Sequence, residues 1–143
     1  MVIEPLQQAN AEAQFDENTQ IAYITYRGLL DASATNAVYD WLGNLIDEIG
    51  IENLYGEIFD FREVKEFMPD NLIEARRNSR RYNMRNDVRT LPVAMVISNY
   101  YHEEILRGPM QNVEENKRKA IVWNMENAEA FLQGWHASRK EEA

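Results

Sequence analysis

The 143-residue chain has no cysteine, two histidines, and no apolar run near the roughly 20 residues that a membrane-spanning helix needs. Without cysteine it cannot form disulfides, zinc–thiolate sites, iron–sulfur clusters or a thiol nucleophile. The N-terminus lacks a basic start followed by an apolar core, so no secretory signal is visible. We therefore expect a cytoplasmic protein with no membrane span.

Recognisable catalytic motifs are missing as well. The sequence contains no G-x-G-x-x-G, P-loop, G-x-S-x-G or H-E-x-x-H pattern, so the turns and ligand pairs of these chemistries are not available. His102 and His136 are interpreted as ordinary surface or helix-end histidines. We expect no catalytic residues, no metal site, no cofactor and no enzyme activity.

The composition is that of a globular protein with an acidic balance. Apolar residues make up 45% and charged residues 27% of the chain, and the net charge is −9. A chain of this length suits one domain, which we expect to span residues 1–143. The acidic balance argues against nucleic-acid binding, because the phosphates would be repelled.

The first half predicts a hairpin followed by a helix. Residues 1–10 are a tail or a lead-in strand, and the second hairpin strand covers Gln20–Arg27 and ends at Gly28. Asp31 or Ser33 caps the next helix, which carries apolar residues three or four apart. Gly50 ends that helix.

A strand that leads into a helix is the central feature of the chain. The strand covers Tyr55–Phe61 and closes near Asp60, and a short charged loop follows. The next helix starts near Pro69, which suits a first helical turn, and runs to about Asn86. Folds of the α/β class usually place their working surface where strands end and helices begin.

The remaining elements continue the alternation of strands and helices. The total, β-β-α-β-α-β-α-β-α, predicts a single-domain α/β fold in which helices pack on a mixed β-sheet. The remaining strands are predicted at Leu91–Ile97 and Arg118–Trp123. A helix over 100–108 is capped by Ser98 or Asn99, is interrupted at Gly108-Pro109, and resumes over 110–115. The last helix covers 125–135 and is capped by Asn124, and the end from Ser138 to Ala143 is frayed.

Two segments of the chain carry a family resemblance. Asp60–Val64 reads D-F-R-E-V, and Met68–Leu72 reads M-P-D-N-L. With the order of elements, they resemble the STAS family of sulfate transporter C-terminal domains and bacterial anti-sigma-factor antagonists, which have the SpoIIAA-like fold. In that family the strand ends in Asp-hydrophobic-Ser-x-Val and the helix starts with Asp-Ser-Ser-Gly-Leu. The segments 118–123 and 126–132 are similar to the family's final strand and helix.

The resemblance implies a regulatory protein-interaction module. In the antagonists a partner kinase phosphorylates the first serine of the helix-start motif, and Pro69 occupies that position here. The resemblance therefore implies a module without the phosphorylatable serine. Asp70 either imitates a charged state or only caps the helix.

A second interpretation of the same fold stays open. The antagonist fold looks similar to that of lipid-transfer domains, and the break at Gly108-Pro109 could open a helix away from the sheet. The alternative is therefore a carrier or sensor that binds a small molecule or lipid.

The unusual feature of this acidic chain is an arginine run that consists of Arg76, Arg77, Arg80, Arg81, Arg85 and Arg89. On a helix, four of its arginines share one broad face, and arginine binds carboxylates and phosphates through two parallel hydrogen bonds. The face is either a surface for an anion or acidic partner, or a solvated face that pairs with the chain's own acids. We also expect that the chain can form a homodimer through the hairpin or an edge strand. The predicted partner-binding residues are Met68, Pro69, Asp70, Asn71, Arg76, Arg77, Arg80 and Arg81.

Overall fold

The structure is a computed structural model that describes residues 3–107 and 118–142. These residues form six strands, four α-helices and one 3₁₀ turn. The strands are β1 (Leu6–Gln7), β2 (Ala11–Asp16), β3 (Ile21–Leu30), β4 (Gly56–Phe67), β5 (Val93–Val96) and β6 (Lys119–Val122). The helices are α1 (Ala32–Ile49), α2 (Pro69–Arg85), α3 (Tyr100–Arg107) and α4 (Met125–Glu142), and the turn covers Ile51–Asn53.

One mixed sheet organises these elements, in the order β1-β2-β3-β4-β5-β6. The pairs β1–β2 and β2–β3 are antiparallel, and β3 to β6 are parallel to one another. Because crossovers between parallel strands are right-handed, this order brings α1, α2 and α3 to one face of the sheet. Buried apolar residues of α1 and α3 and the half-buried Tyr82 of α2 join one large cluster, and α4 covers part of the other face with a second cluster. The predicted α/β fold class is confirmed.

The helix α1 forms where the sequence predicts it. The Asp31 carboxylate accepts a hydrogen bond from the Ala34 N–H at 3.0 Å, so Asp31 is the N-cap. Gly50, with a φ of 80°, terminates the helix. Seven residues of α1 are buried, among them Val38 and Leu42. They anchor α1 on the sheet, and α2 packs against α1.

The helix α4 packs against the sheet through a close contact at a glycine. Gly56 opens β4, and a Cβ atom at this position would lie 2.8 Å from Cδ1 of Leu132. Leu132 is completely buried, together with Ala128, Ile58 and Ala94. The absence of a side chain at Gly56 therefore lets α4 approach the sheet.

The predicted end of the central strand near Phe61 is wrong. The strand β4 continues to Phe67 and pairs with the end of β3 through two register irregularities. Gly28, at φ 62°, lies within β3 and does not end it. The segment resembles a loop in sequence because its charged residues face solvent, while Val64 and Phe67 are buried. The predicted charged loop is therefore an extension of the strand.

Both terminal regions of the described chain contribute regular elements. The lead-in alternative is confirmed, because β1 pairs with β2 and adds a strand to the predicted five. The predicted frayed end is wrong for Ser138–Glu142, which belong to α4. There the Arg139 guanidinium lies 4.9 Å from the centre of the Trp135 ring and donates to the Arg89 carbonyl at 3.0 Å.

The caps of the last two helices agree with the sequence. Asn99 accepts from the His102 N–H at 2.9 Å, and Asn124 accepts from the Asn127 N–H at 2.7 Å. Gly108-Pro109 and the predicted helix over 110–115 lie outside the described residues. Across the described ranges, no helix is long and apolar enough to cross a membrane.

Of the two interpretations of His102, a surface or a helix-end histidine, the first is wrong: the residue lies in the first turn of α3 but is buried. Its side chain is 1% exposed, and its ring packs edge-on against Phe67 with the ring centres 5.2 Å apart. Burial lowers the pKa of the imidazole below its usual value, and the Val64 backbone opposes this shift only in part. Folding therefore favours the neutral form of His102 over the protonated form.

This burial predicts a loss of stability in acid. Above about pH 6.5 the ring is neutral in the folded and unfolded chains, so its titration contributes nothing. Below that pH the unfolded ring takes up a proton that the buried ring resists. The unfolding free energy should then fall by up to about 1.4 kcal/mol per pH unit, until the pH passes the lowered pKa.

Urea unfolding between about pH 5 and pH 7.5 measures this slope, within the range where histidine titrates. His102→Gln should flatten it. Tyr100→Gln, at an exposed position of the same helix, is the control and should leave it in place. Equal acid slopes for the wild type and His102→Gln would show that His102 is not its source.

Candidate functional site: the outward face of α2

The start of α2 is an open junction. The Met68 N–H donates to the Leu30 carbonyl at 2.9 Å, and Met68 is the N-cap residue without a side-chain cap bond. Pro69 takes the first helical position, where its missing N–H has no helical partner to lose. Asp70 lies exposed in the first turn and is not the cap. Its carboxylate is near the positive end of the helix dipole, a favourable place for an anion.

Polar side chains hold the inner face of α2 on α1. Asn71 is buried and accepts a hydrogen bond from the Thr35 hydroxyl. Two turns later, Asn78 donates to the Asn36 side-chain oxygen at 2.6 Å. Asn71, one of the predicted partner-binding residues, thus faces α1 and positions the helix.

A buried carboxylate fastens the C-terminal half of α2. The Tyr82 hydroxyl donates to the Glu57 carboxylate at 2.8 Å, and the Tyr82 ring meets the Tyr39 ring edge-on. Glu57 is 3% exposed on β4. Burial raises the pKa of Glu57, while the Tyr82 bond and the charges of Arg118 and Lys119 oppose the shift.

The pKa of Tyr82 rises far above its usual value, through burial and the nearby Glu57 carboxylate, so the phenol remains a donor. Because the pKa of Glu57 is higher in the folded chain than in the unfolded chain, the contribution of Glu57 to the unfolding free energy increases as the pH falls through the raised pKa. Sequence reasoning missed this pair. The available signals were Glu57 in the interior of an apolar strand, and the positions of Asn71, Asn78 and Tyr82 seven and four residues apart along one helix face.

The outward face of α2 is exposed along its length. Ile73, Arg77, Arg80 and Met84 follow one another at helical spacing, and Arg76 and Arg81 flank this row. Ile73 is 61% exposed and Met84 is 81% exposed, and the arginines are exposed as well. We call the six residues Ile73, Arg76, Arg77, Arg80, Arg81 and Met84 the arginine stripe.

The chain's own acids pair with only part of the arginine run. Arg77 contacts Glu74 at 2.7 Å, and Arg85 lies 3.9 Å from Asp47. Arg89, beyond the helix, contacts Asp87 at 2.8 Å. Within residues 3–107 and 118–142, no ion pair involves three arginines of the stripe, namely Arg76, Arg80 and Arg81.

Asp60 lies apart from this surface. Its side chain is on the other face of the sheet from Phe59 and Phe61, because residues alternate along a strand. It is 7% exposed and accepts hydrogen bonds from the Arg62 backbone and guanidinium at 2.8 to 3.0 Å. The structure therefore does not bring Asp60 to the start of α2.

The carrier alternative is not favoured by the described residues. Its sequence basis, Gly108-Pro109, lies outside them. A recess of about 80 Å³ next to β1 and β2 is lined by polar side chains such as Glu12, Gln14 and Tyr23. Small-molecule sites usually measure roughly 300–1,000 Å³ and are mostly apolar. Across the described chain, no group of three or more potential ligands could hold a metal ion.

Comparison with known proteins identifies the fold. No protein-family model matches the sequence, and no curated protein is similar to it. An uncharacterized DUF3478-family protein from Shewanella loihica PV-4, described as having a SpoIIAA-like fold, matches with a TM-score of 0.60 at 10% identity. The match covers 89% of this chain and 97% of that one.

Two further solved structures share the architecture. An anti-sigma factor antagonist from Mycobacterium paratuberculosis matches with a TM-score of 0.53 at 10% identity, covering 90% of this chain and 99% of that chain. The murine Solute Carrier 26 family member A9 anion transporter matches with a TM-score of 0.58 at 15% identity, covering 85% of this chain and 19% of the transporter. The chain therefore has the SpoIIAA-like fold, and the resemblance to this group is confirmed at the level of fold.

Proposed function

We propose that this chain is a regulatory module that binds another protein through the start and outward face of α2 and performs no catalysis. The observation that supports this most directly is that α2, held on its inner face, presents apolar side chains and several arginines to solvent. Three of these arginines have no ion pair within residues 3–107 and 118–142. The fold match to an anti-sigma factor antagonist is consistent with such a role. The proposal places the module in the cytoplasm.

The proposed surface extends from the start of α2 along the outward face of the helix. Met68 and Pro69 form the open junction, Asp70 adds a fixed negative charge, and Asn71 holds the helix from within. Arg76, Arg77, Arg80 and Arg81 supply the contacts beyond the first turn. Because Pro69 has no hydroxyl, we propose that phosphorylation at this position does not switch binding on or off.

Affinity capture from an extract of the source organism tests this proposal. The wild-type chain is compared with Arg77→Glu/Arg81→Glu and with Asp70→Lys. A matched control, Arg107→Glu/Lys140→Glu, makes the same total charge change as the double α2 variant, away from α2. We expect captured proteins to be retained by the control and to bind the double variant at least about tenfold more weakly once purified, a change of about 1.4 kcal/mol. If both α2 variants retain every partner, the proposal is wrong.

A further inference from the structure

The arginine stripe combines two kinds of contact. Ile73 and Met84 are separated by three helical turns, so they mark the ends of a row about 16 Å long. The arginines lie between and beside them. The row therefore offers guanidinium groups that can pair with carboxylates, and an apolar side chain at each end that can contact apolar groups of the same partner.

The charge of the stripe is opposite to that of the molecule. Five arginines against Asp70 and Glu74 give α2 a net charge of +3. The whole chain carries −9, so the remainder carries −12. The three arginines without an ion pair in the described structure add to this contrast. The stripe is thus a local basic surface on an acidic body.

We propose that the arginine stripe binds an acidic amphipathic helical segment of a partner protein, an inference that rests on the proposed function. Carboxylates of the segment pair with Arg76, Arg80 and Arg81, for which the guanidinium fork is well suited. Apolar side chains of the segment cover Ile73 and Met84. Two helices packed at the usual distance of about 8–10 Å bring both sets into contact.

The acidic body distinguishes this partner from other anions. A membrane surface or a nucleic acid is an extended polyanion, which would face the −12 of the remaining chain as well as the stripe. A short segment lies within about one Debye length of the arginines, roughly 8 Å at physiological salt, and avoids most of that repulsion. A second copy that presented the same stripe would oppose arginine with arginine.

The seating of α2 also favours tight recognition of a segment. Asn71, Asn78 and Tyr82 fix the inner face of the helix to α1 and β4. The stripe is therefore already formed before binding, and less conformational entropy is lost when a partner docks.

Selection from a displayed library of random peptides tests the proposed chemistry. Peptides of about 16 residues span slightly more than four helical turns, enough to cover the stripe. The library is selected on the wild-type chain and counter-selected on Arg76→Glu/Arg80→Glu/Arg81→Glu. We expect the enriched peptides to carry an excess of Asp and Glu, with apolar residues three and four apart.

Binding of the synthesised peptides gives the magnitude. Affinity should fall at least about tenfold for Arg76→Gln/Arg80→Gln/Arg81→Gln, which removes charge without reversing it, because three charge-assisted contacts are lost. Ile73→Ser/Met84→Ser should also weaken binding. Arg107→Glu/Lys140→Glu should bind as the wild type does, and circular dichroism checks that every variant keeps its helices.

Other outcomes would overturn the inference. These are enriched peptides without an acidic excess, or equal binding to the arginine variants. Tighter, arginine-dependent binding to phosphatidylserine-containing vesicles or to duplex DNA would assign the stripe to phosphate. A dimer of the pure chain that the arginine variants abolish would assign it to a second copy.

The two proposals can fail separately. If natural partners depend on Arg77 and Arg81 but the selected peptides show no acidic preference, the proposed function stands and this inference is wrong. If acidic peptides bind the stripe but no natural partner depends on it, the acidic preference stands and the proposed function is wrong.

Discussion

The Tyr82→Ala variant is expected to lose about 3–5 kcal/mol of unfolding free energy, the range for removing a packed aromatic side chain. The change removes the ring contact with Tyr39. It also leaves the Glu57 carboxylate, buried under α2, without its phenolic donor. A buried acceptor that loses its partner adds a desolvation cost of about 1–3 kcal/mol, which brings the total toward the upper end.

Urea unfolding followed by circular dichroism measures this loss, and two variants separate its causes. Tyr82→Phe keeps the ring and removes only the hydroxyl, so it should cost about 1–3 kcal/mol. That cost should shrink at low pH, because protonated Glu57 is easier to bury without a donor. Met84→Ala, at an exposed position of the same helix, should change stability by less than about 0.5 kcal/mol. If Tyr82→Ala is as mild as Met84→Ala, Tyr82 does not fasten α2.

The sequence predicts most of the fold because its local signals agree with one another. Asp31 and Gly50 bracket an apolar stripe, and Pro69 marks the start of α2, so these three boundaries each have a chemical cause. The length of β4 is not predictable in the same way. Its register irregularities shift the alternation between Asp60 and Phe67, and a strand whose period-two pattern is broken resembles a charged loop.

The candidate site is predictable only in its outward half. Helical spacing alone places the arginines on one face, and the structure adds that Arg76, Arg80 and Arg81 lack an ion pair within the described residues. The inner half depends on contacts between distant residues. Tyr82 and Glu57 are 25 positions apart, and no local pattern links a tyrosine on a helix to an acid on a strand. Side chains alternate between the two faces of the sheet along β4, which places Asp60 on the face away from α2. The sequence did not indicate this because the strand was predicted to end near Asp60.

The other large effect is expected on the opposite face of the sheet. Leu132→Ala should cost about 2–5 kcal/mol, because the completely buried side chain leaves a cavity between α4 and the sheet. Gly56→Ala should cost about 1–3 kcal/mol, because the new methyl group would lie 2.8 Å from Leu132 Cδ1 and force the leucine out of its position. Thermal or urea unfolding of both single variants tests these values.

The double variant Gly56→Ala/Leu132→Ala tests whether the two residues are coupled. The methyl group added at position 56 enters space that Leu132 has vacated, so the combined cost should be smaller than the sum by about 1 kcal/mol or more. Gly134→Ala is a matched control on α4, because its Cβ would meet nothing within 4 Å, and it should stabilise the helix by up to about 1 kcal/mol. Strictly additive costs would show that Leu132 does not rest on Gly56. Since α4 and α2 cover opposite faces, folded Leu132→Ala protein should still bind acidic peptides, whereas Tyr82→Ala should weaken that binding by releasing α2.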